Sequence, residues 1–265
     1  MLDTIQILDI TKAAYEAGRK ILEVYDTDFQ VETKEDASPL TLADQQSHEM
    51  IVNHLSRSYP EIPILSEEGQ HLPFEERKEW STLWIVDPLD GTKEFVNRNG
   101  EFTVNIALTH QQKPILGVIY VPVKDEMYFS NQLGAFKVHQ YSAHQLLSEE
   151  DLLAVSEKIT VGHMGSYKVV ASRSHLSPET ETFVEELKKE HGVVEMISAG
   201  SSLKFCLVAE GKANVYPRFA PTMEWDTAAG QAIVEAAGGE VVDAETKQPL
   251  VYNKEQLVNS WFIVR

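Results

Sequence analysis

The sequence predicts an α+β fold in its first half and an α/β fold in its second half. Short apolar segments separated by hairpin turns over residues 101–139 indicate an antiparallel sheet. Beyond residue 165, strand-like segments alternate with helical ones, which is typical of an α/β lobe. We therefore expect one unit of 265 residues with an N-terminal lobe over 1–150 and a C-terminal lobe over 165–265.

Two helices are predicted before the first strand. Over residues 4–25, apolar or small side chains recur at spacings of three and four, which indicates an amphipathic helix. A loop containing Ser38-Pro39 precedes a second helix that runs to about Ser58. Asp44 falls in the first turn of that helix, where an acidic side chain interacts favourably with the helix dipole. This structural role is one interpretation of Asp44.

Acidic residues follow the first predicted strand. Ile62–Leu65 forms this strand, and Glu67-Glu68 stands just after it. Adjacent glutamates at such a position are usually part of a solvated loop. The next strand, however, ends at Asp87, so two neighbouring strands would deliver acidic groups to one edge of a sheet.

The stretch Trp84–Thr92 is the most informative part of the chain. Its apolar residues predict a buried strand, which Asp87-Pro88-Leu89-Asp90-Gly91 stops in a tight turn. Such a turn brings the carboxylates of Asp87 and Asp90 to one side. Two convergent carboxylates repel each other unless a cation lies between them, and a hard divalent cation prefers oxygen ligands. A plain structural turn is the alternative interpretation.

The remaining elements follow from the same patterns. Short helices and strands after the turn are predicted over 93–96, 101–110, 114–122, 126–129 and 134–139. Residues 141–165 are polar and contain glycine, so we expect a connector there. The second lobe is predicted to contain strands over 168–171, 193–197 and 213–216 and helices over 177–191, 200–211 and 225–237.

Composition limits the classes of partner. The net charge of −18 excludes DNA or RNA as a partner, because no basic stripe is present to neutralise phosphates. Nothing in the sequence indicates a stable protein partner. The single cysteine, Cys206, excludes an intramolecular disulfide and is typical of a reducing compartment. No apolar run approaches ~20 residues, so we expect a cytoplasmic protein, with peripheral association with the inner membrane left open.

Four acidic residues share one type of position. Glu67, Asp87, Asp90 and Asp226 each stand at the end of a strand or the start of a helix. Together with the main-chain carbonyl of Leu89 and water, they would satisfy two or three Mg²⁺ ions. No Cys/His cluster with zinc spacing and no glycine-rich nucleotide motif is present. From the residues alone, we expect a metal-dependent enzyme of phosphoryl transfer or hydrolysis.

These motifs resemble a known family. Glu67-Glu68, Asp87–Thr92 and Trp225-Asp226, in this order, are similar to the signature of the inositol monophosphatase superfamily of Mg²⁺-dependent, lithium-sensitive phosphatases. Further similarity to its 3′(2′),5′-bisphosphate nucleotidase branch, the CysQ type, lies in residues 93–95, 98–108, 171–175, 200–204 and 216–219. The resemblance covers essentially the whole chain except 139–166. It implies a five-layer αβαβα sandwich.

The resemblance also implies roles in catalysis. Glu67, Asp87 and the Leu89 carbonyl would hold one Mg²⁺, and Asp87, Asp90 and Asp226 would hold a second. Asp44 and Glu68 would lie near a looser third ion. Thr92, hydrogen-bonded to Asp44, would orient the attacking water with help from Glu68. The backbone N–H groups of Gly91 and Thr92 would hold the phosphate.

The second lobe is expected to select the substrate. Gly200 and the two serines that follow it, Ser201 and Ser202, open a helix that suits the phosphate left in place, and Lys204 adds a positive charge one turn later. The resemblance implies that Ser172 and His175 face the nucleotide and that Arg218 meets the second phosphate. The alternatives are a surface lysine at 204, a loop arginine at 218 and a helix cap at 175.

The resemblance implies a bisphosphate nucleotide as substrate. The enzyme would hydrolyse 3′-phosphoadenosine 5′-phosphate to AMP and phosphate, with the sulfated nucleotide as a second substrate and a place in sulfate assimilation. An inositol or sugar monophosphatase would share the metal ligands and is the nearest alternative. A non-catalytic nucleotide sensor and a structural Ca²⁺-stabilised protein are alternatives from other classes.

Overall fold

The computed structural model describes residues 4–27, 31–33, 39–70, 72–162, 165–172 and 177–265. Of the predicted site residues, His175 and the side chain of Ser172 lie outside the described part of the chain. Within the described part, no helix is both long and apolar enough to cross a bilayer.

The helices and strands have the following bounds, each type given in chain order. The helices are α1 Ile7–Tyr25, α2 Leu42–Ser58, α3 Phe74–Arg77, α4 Thr92–Val96, α5 Glu149–Ala154, α6 Pro178–His191, α7 Leu203–Ala209 and α8 Glu224–Ala236. The strands of the first half are β1 Val31–Thr33, β2 Pro39–Thr41, β3 Ile64–Ser66, β4 Thr82–Asp90, β5 Thr103–His110, β6 Lys113–Val121, β7 Glu126–Asn131, β8 Gly134–His139 and β9 Glu157–Ile159. The remaining strands are β10 Tyr167–Ser172, β11 Val194–Ala199, β12 Tyr216–Arg218, β13 Val241–Asp243 and β14 Phe262–Val264.

The larger sheet has seven strands in the order β3-β4-β5-β6-β7-β8-β9. Strand β3 is parallel to β4, and every other neighbouring pair is antiparallel. Helices α1 and α2 pack on one face of this sheet. Trp84, Val86 and Ile106 lie on that face and belong to the core. The alternate residues Ile85 and Ala107 face the opposite side, as the period of two in a strand requires.

The stretch predicted as a tight turn is instead part of β4. Asp87 pairs with Asn105 and Asp90 pairs with Thr103 on β5, with a bulge between the two pairs. A bulge tolerates Pro88, which has no N–H for the sheet ladder. The strand ends at Gly91, whose φ of +94° is favourable for glycine, and α4 begins at the next residue.

The smaller sheet lies on the far side of α7 and α8. Strands β10 and β11 are parallel, and β12, β14 and β13 form an antiparallel group joined to β10 through the bridge Val169–Val215. Helix α6 covers the outer face with Val184 and Leu187. The layers are therefore α1/α2, sheet, α7/α8, sheet and α6, which confirms the expected five-layer sandwich.

The stretch predicted as a connector contains regular structure. Residues 141–165 include α5, which Ser148 and Asp151 start with a capping box, and β9, which joins the edge of the seven-stranded sheet. Sequence patterns also missed β13 and β14. The division into lobes at 150 and 165 stays a prediction, and the larger sheet continues to Ile159.

Candidate active site

Three carboxylates from distant parts of the chain meet at one point. Asp87, Asp90 and Asp226 each offer a carboxylate oxygen, and these oxygens lie within 4.8 Å of one another. The bulge in β4 carries the first two, and the first turn of α8 carries the third. Because α8 packs directly against the larger sheet, the N-terminus of the helix reaches the end of β4.

The electrostatics of this cluster fit a bound cation. Asp87 is 1% exposed, and desolvation together with the charges of Glu67 and Asp90 raises its pKa well above the usual range. Desolvation and the charge of Asp90 raise the pKa of Asp226 to about 8. Anionic oxygens held together out of water are stabilised by a hard divalent cation, so the donor set fits Mg²⁺.

Two further predicted residues surround Asp87. The charges of Glu67 and Asp44 both raise its pKa, which places their carboxylates within electrostatic reach. Asp44 lies in the first turn of α2, as predicted, and is 2% exposed. One turn later, Ser47 Oγ donates to the carbonyl oxygen of Pro88 at 2.7 Å and ties α2 to the bulge.

Glu68 and Leu89 occupy the positions next to these groups. Glu68 is half-buried, and its charge acts on His48, whose Nδ1 lies 2.9 Å from Ser66 Oγ. Leu89 is buried in the bulge, and its N–H donates to Asp87 Oδ1 at 3.1 Å. This bond fixes the Asp87 side chain relative to the backbone that follows it.

Ser202 contacts the acidic cluster, a role that the sequence did not predict for it. Its hydroxyl donates to Asp90 Oδ2 at 2.7 Å and lies 2.9 Å from the backbone carbonyl of Asp226. Asn105 Nδ2 donates to the same hydroxyl at 2.9 Å. Ser202 therefore joins the strand and helix that carry the carboxylates. An asparagine within the otherwise apolar run Val104–Leu108 of β5 is the sequence signal that indicates this contact.

The loop before α7 packs tightly against α4. The N–H of Gly200 donates to Glu101 Oε2 at 2.9 Å, so this donor is already engaged. A Cβ at Gly200 would lie 2.6 Å from Glu94 Cγ, which explains the glycine. Ser201 Oγ is hydrogen-bonded to Thr103 Oγ1 at 2.7 Å. Helix α7 begins at Leu203 and not at Gly200 as predicted. The N–H of Gly200, which was expected to donate to a phosphate, donates to Glu101 instead.

A cavity of about 150 Å³ opens beside the carboxylates. Lys204 lines this cavity and is only 6% exposed, so the interpretation as a surface lysine is wrong. Its ammonium group donates to the carbonyl oxygens of Ala199 and Ser201 and lies over the ring of Tyr216. Desolvation lowers the pKa of Lys204 to about 8.

Arg218 lines the same cavity with an unsatisfied donor. Its Nη2 donates to the carbonyl oxygen of Pro221 at 3.2 Å. Its Nε is buried and has no hydrogen-bond partner among the described residues. Buried polar atoms are almost always paired, so this donor is suited to an anionic group of a ligand.

Gly91 and Thr92 stand at the start of α4 next to Asp90. A Cβ at Gly91 would lie 3.1 Å from that of Ser201, and its backbone is left-handed. Thr92 is half-buried. The hydrogen bond expected between Thr92 and Asp44 stays a prediction.

Comparisons with known proteins agree with this arrangement. A family model, the inositol monophosphatase family, matches residues 1–262. A 3′(2′),5′-bisphosphate nucleotidase CysQ from Salmonella typhimurium is 45% identical over 257 residues, covering 96% of this chain and 97% of the relative. The corresponding nucleotidase of Escherichia coli K12 is 45% identical over 258 residues, with the same coverage of 96% and 97%.

A solved structure supports the same assignment. The crystal structure of CysQ from Bacteroides thetaiotaomicron has 53% sequence identity and a TM-score of 0.88, covering 97% of this chain and 95% of that one. The protein suhB from Bartonella henselae has 27% identity and a TM-score of 0.74, covering 97% and 92%. With its five layers and convergent carboxylates, the chain belongs to the inositol monophosphatase family.

Proposed function

We propose that this protein is a Mg²⁺-dependent 3′(2′),5′-bisphosphate nucleotidase that converts 3′-phosphoadenosine 5′-phosphate to AMP and phosphate. The convergence of Asp87, Asp90 and Asp226 is the observation that carries the metal-dependent chemistry. The near full-length identity of 45% to bisphosphate nucleotidases supports the substrate class. The sulfated nucleotide, 3′-phosphoadenosine 5′-phosphosulfate, is a second candidate substrate. We place the enzyme in the cytoplasm.

The acidic cluster would hold two Mg²⁺ ions, with a looser third position near Asp44 and Glu68. The proposed ligands are Glu67, Asp87, the Leu89 carbonyl, Asp90 and Asp226. When bound, such ions neutralise the charge of a phosphomonoester, lower the pKa of a water and stabilise the leaving oxygen.

The chain itself supplies orientation. Ser202 holds Asp90 and the backbone of Asp226 in one arrangement, so these groups need little reorganisation when substrate arrives. Thr92 and Asp44 orient the attacking water and accept its proton, with Glu68 assisting. The N–H groups of Gly91 and Thr92 donate to the phosphate that is removed.

The cavity recognises the phosphate that stays on the substrate. Lys204 supplies positive charge there, and Arg218 supplies its Nε, a donor that has no partner within the described part of the chain. The hydroxyl of Ser201 lines the same cavity, although it is already bonded to Thr103. Ser172 and His175 are proposed to face the nucleotide.

A side-by-side assay tests the substrate class. Phosphate release is measured with Mg²⁺ on 3′-phosphoadenosine 5′-phosphate, inositol 1-phosphate and fructose 1,6-bisphosphate. We expect the highest kcat/KM on the bisphosphate nucleotide and loss of activity when Mg²⁺ is chelated. Equal or higher kcat/KM on either of the other substrates would replace the proposal with an inositol or sugar phosphatase.

A further inference from the structure

A buried polar network surrounds the start of α8, the helix that carries Asp226. Glu224 is the first residue of this helix and is 0% exposed. Its carboxylate accepts the backbone N–H of Asn253 at 2.6 Å and that of Lys254 at 2.9 Å. The ammonium group of Lys254 donates to it as well, at 2.7 Å. This carboxylate is therefore fully engaged although it is only two residues from a proposed metal ligand.

The loop that contains Asn253 and Lys254 continues to Asn259, which contacts Met223, a hydrogen-bond donor to Asp226. Asn259 Nδ2 donates to the carbonyl oxygen of Met223 at 2.7 Å, and Asn259 Oδ1 accepts from Lys254 Nζ at 3.1 Å. The N–H of Met223 in turn donates to Asp226 Oδ2 at 2.8 Å. A continuous set of hydrogen bonds thus runs from Lys254 through Asn259 and Met223 to the Asp226 carboxylate.

Arg77 extends the network to the segment before β4. It is 2% exposed, and its Nη1 donates to Asn253 Oδ1 at 2.8 Å. Its Nη2 donates to the carbonyl oxygen of Glu255 at 3.0 Å, and Asn253 Nδ2 returns a hydrogen bond to the Arg77 carbonyl at 2.8 Å. The network therefore joins the start of α8 to the segment that precedes β4, the strand that carries Asp87 and Asp90.

A network of this kind has a single satisfied arrangement. A buried carboxylate that loses one donor leaves an uncompensated charge, so alternative positions of the loop are disfavoured. Groups that orient metal ligands from behind commonly change metal affinity by 10- to 100-fold when mutated. A purely structural network would instead lower the stability of the protein and leave metal affinity unchanged.

We propose that Glu224, held by Asn253 and Lys254, is a positioning residue that sets Asp226 against Asp87 and Asp90 for metal binding. The inference rests on the proposed metal site. Glu224 touches neither substrate nor metal in this account. It acts by fixing the first turn of α8, and the hydrogen bond from Met223 transmits that position to the Asp226 carboxylate.

The test compares Glu224→Gln with the matched control Glu210→Gln. The side chain of Glu210 is also buried, at 6% exposed. Glu210 follows the last residue of α7, and its carboxylate contacts Lys137 and Lys212. Binding of Mg²⁺ is measured by isothermal titration calorimetry without substrate, and melting is measured in chelator. We expect Glu224→Gln to weaken Mg²⁺ binding ~10-fold or more, and Glu210→Gln to leave it unchanged even where it lowers the melting temperature.

The outcomes separate this inference from the proposed function. Equal Mg²⁺ affinity in Glu224→Gln and wild type would overturn the positioning role alone. Absence of Mg²⁺ binding by the wild type would overturn the metal site and this inference with it. If Glu224→Gln does not fold, Lys254→Met decides, since it keeps the carboxylate and its two backbone donors. Weaker Mg²⁺ binding by that variant supports the role, and unchanged binding overturns it.

Discussion

Asp87 is the residue on which the site depends most. It is buried, and the charges of Glu67, Asp90, Asp226 and Asp44 all act on it. In a chain without a cation, these groups repel one another, and desolvation favours their protonated forms. The cluster is therefore an unfavourable arrangement that becomes favourable with a divalent cation.

Asp90→Asn tests how much one carboxylate of the cluster contributes to activity. Asparagine keeps an oxygen for the Ser202 hydroxyl but removes a negative charge from the cluster. We expect phosphate release from the bisphosphate nucleotide to fall by ~10²-fold or more, because several kcal/mol of metal-dependent stabilisation is lost. Initial rates at high Mg²⁺ measure the effect. A variant that melts like wild type and retains full activity would contradict this role of Asp90. Absence of phosphate release by the wild type itself would instead favour the non-catalytic sensor.

Lys204→Met tests the cavity with little change in side-chain volume. Removal of the buried ammonium group takes a positive charge from the subsite for the retained phosphate. We expect KM for the bisphosphate nucleotide to rise ~10-fold, a value typical of a lost charge-assisted hydrogen bond. The KM for inositol 1-phosphate, which has no second phosphate, serves as the internal control. Equal increases for both substrates would count against the nucleotide subsite.

Among the elements, local sequence preferences predicted the strands, but for Asp87–Gly91 they predicted a turn where β4 continues to Asp90. Asp-Pro-Leu-Asp-Gly has the composition of a turn. Pairing of Asp87 with Asn105 and Asp90 with Thr103 nevertheless extends β4 through a bulge. This pairing depends on a strand that comes later in the chain, so the local sequence does not contain it.

The contacts of Ser202 could not be predicted from the local sequence, because they also join distant parts of the chain. Asn105 and Ser202 are 97 positions apart, and only the packing of β5 against the loop before α7 brings them together. Strand β9 was missed because Ile159 is its one buried side chain, and its other residues are charged and exposed. The convergence of Asp87, Asp90 and Asp226, by contrast, was predictable, because acidic residues at the ends of strands and the starts of helices are typical of metal sites.

Ser202→Ala tests whether the loop before α7 supports the proposed metal site. Loss of the hydroxyl leaves Asp90 and Asn105 without a shared partner. We expect the Mg²⁺ concentration for half-maximal activity to rise ~10-fold. Ser130→Ala is the control, since Ser130 is 1% exposed and accepts the N–H of Gly117 within the larger sheet. A similar change in both variants would show that the effect is a general loss of stability.

At the scale of the whole molecule, the site lies between the layers. The larger sheet supplies Asp87 and Asp90, and α8, in the central layer, supplies Asp226. The site therefore depends on the packing of α8 against the larger sheet, and this geometry agrees with the family assignment.

Metal removal should affect stability as well as activity. A cation that binds only the folded protein stabilises it by about 2.7 kcal/mol at 100 times its Kd. We therefore expect a higher melting temperature in excess Mg²⁺ than in chelator, and a smaller difference for Asp90→Asn. Calorimetry measures both. Identical melting of the wild type in the two conditions would argue against a metal site within the fold.

Anomalous diffraction from crystals soaked in Mn²⁺, which binds the same oxygen ligands as Mg²⁺, would locate the proposed metal ions. We expect at least one strong peak in contact with the carboxylates of Asp87, Asp90 and Asp226 together. Peaks confined to other acidic residues, with these three carboxylates bare, would contradict the proposed metal site.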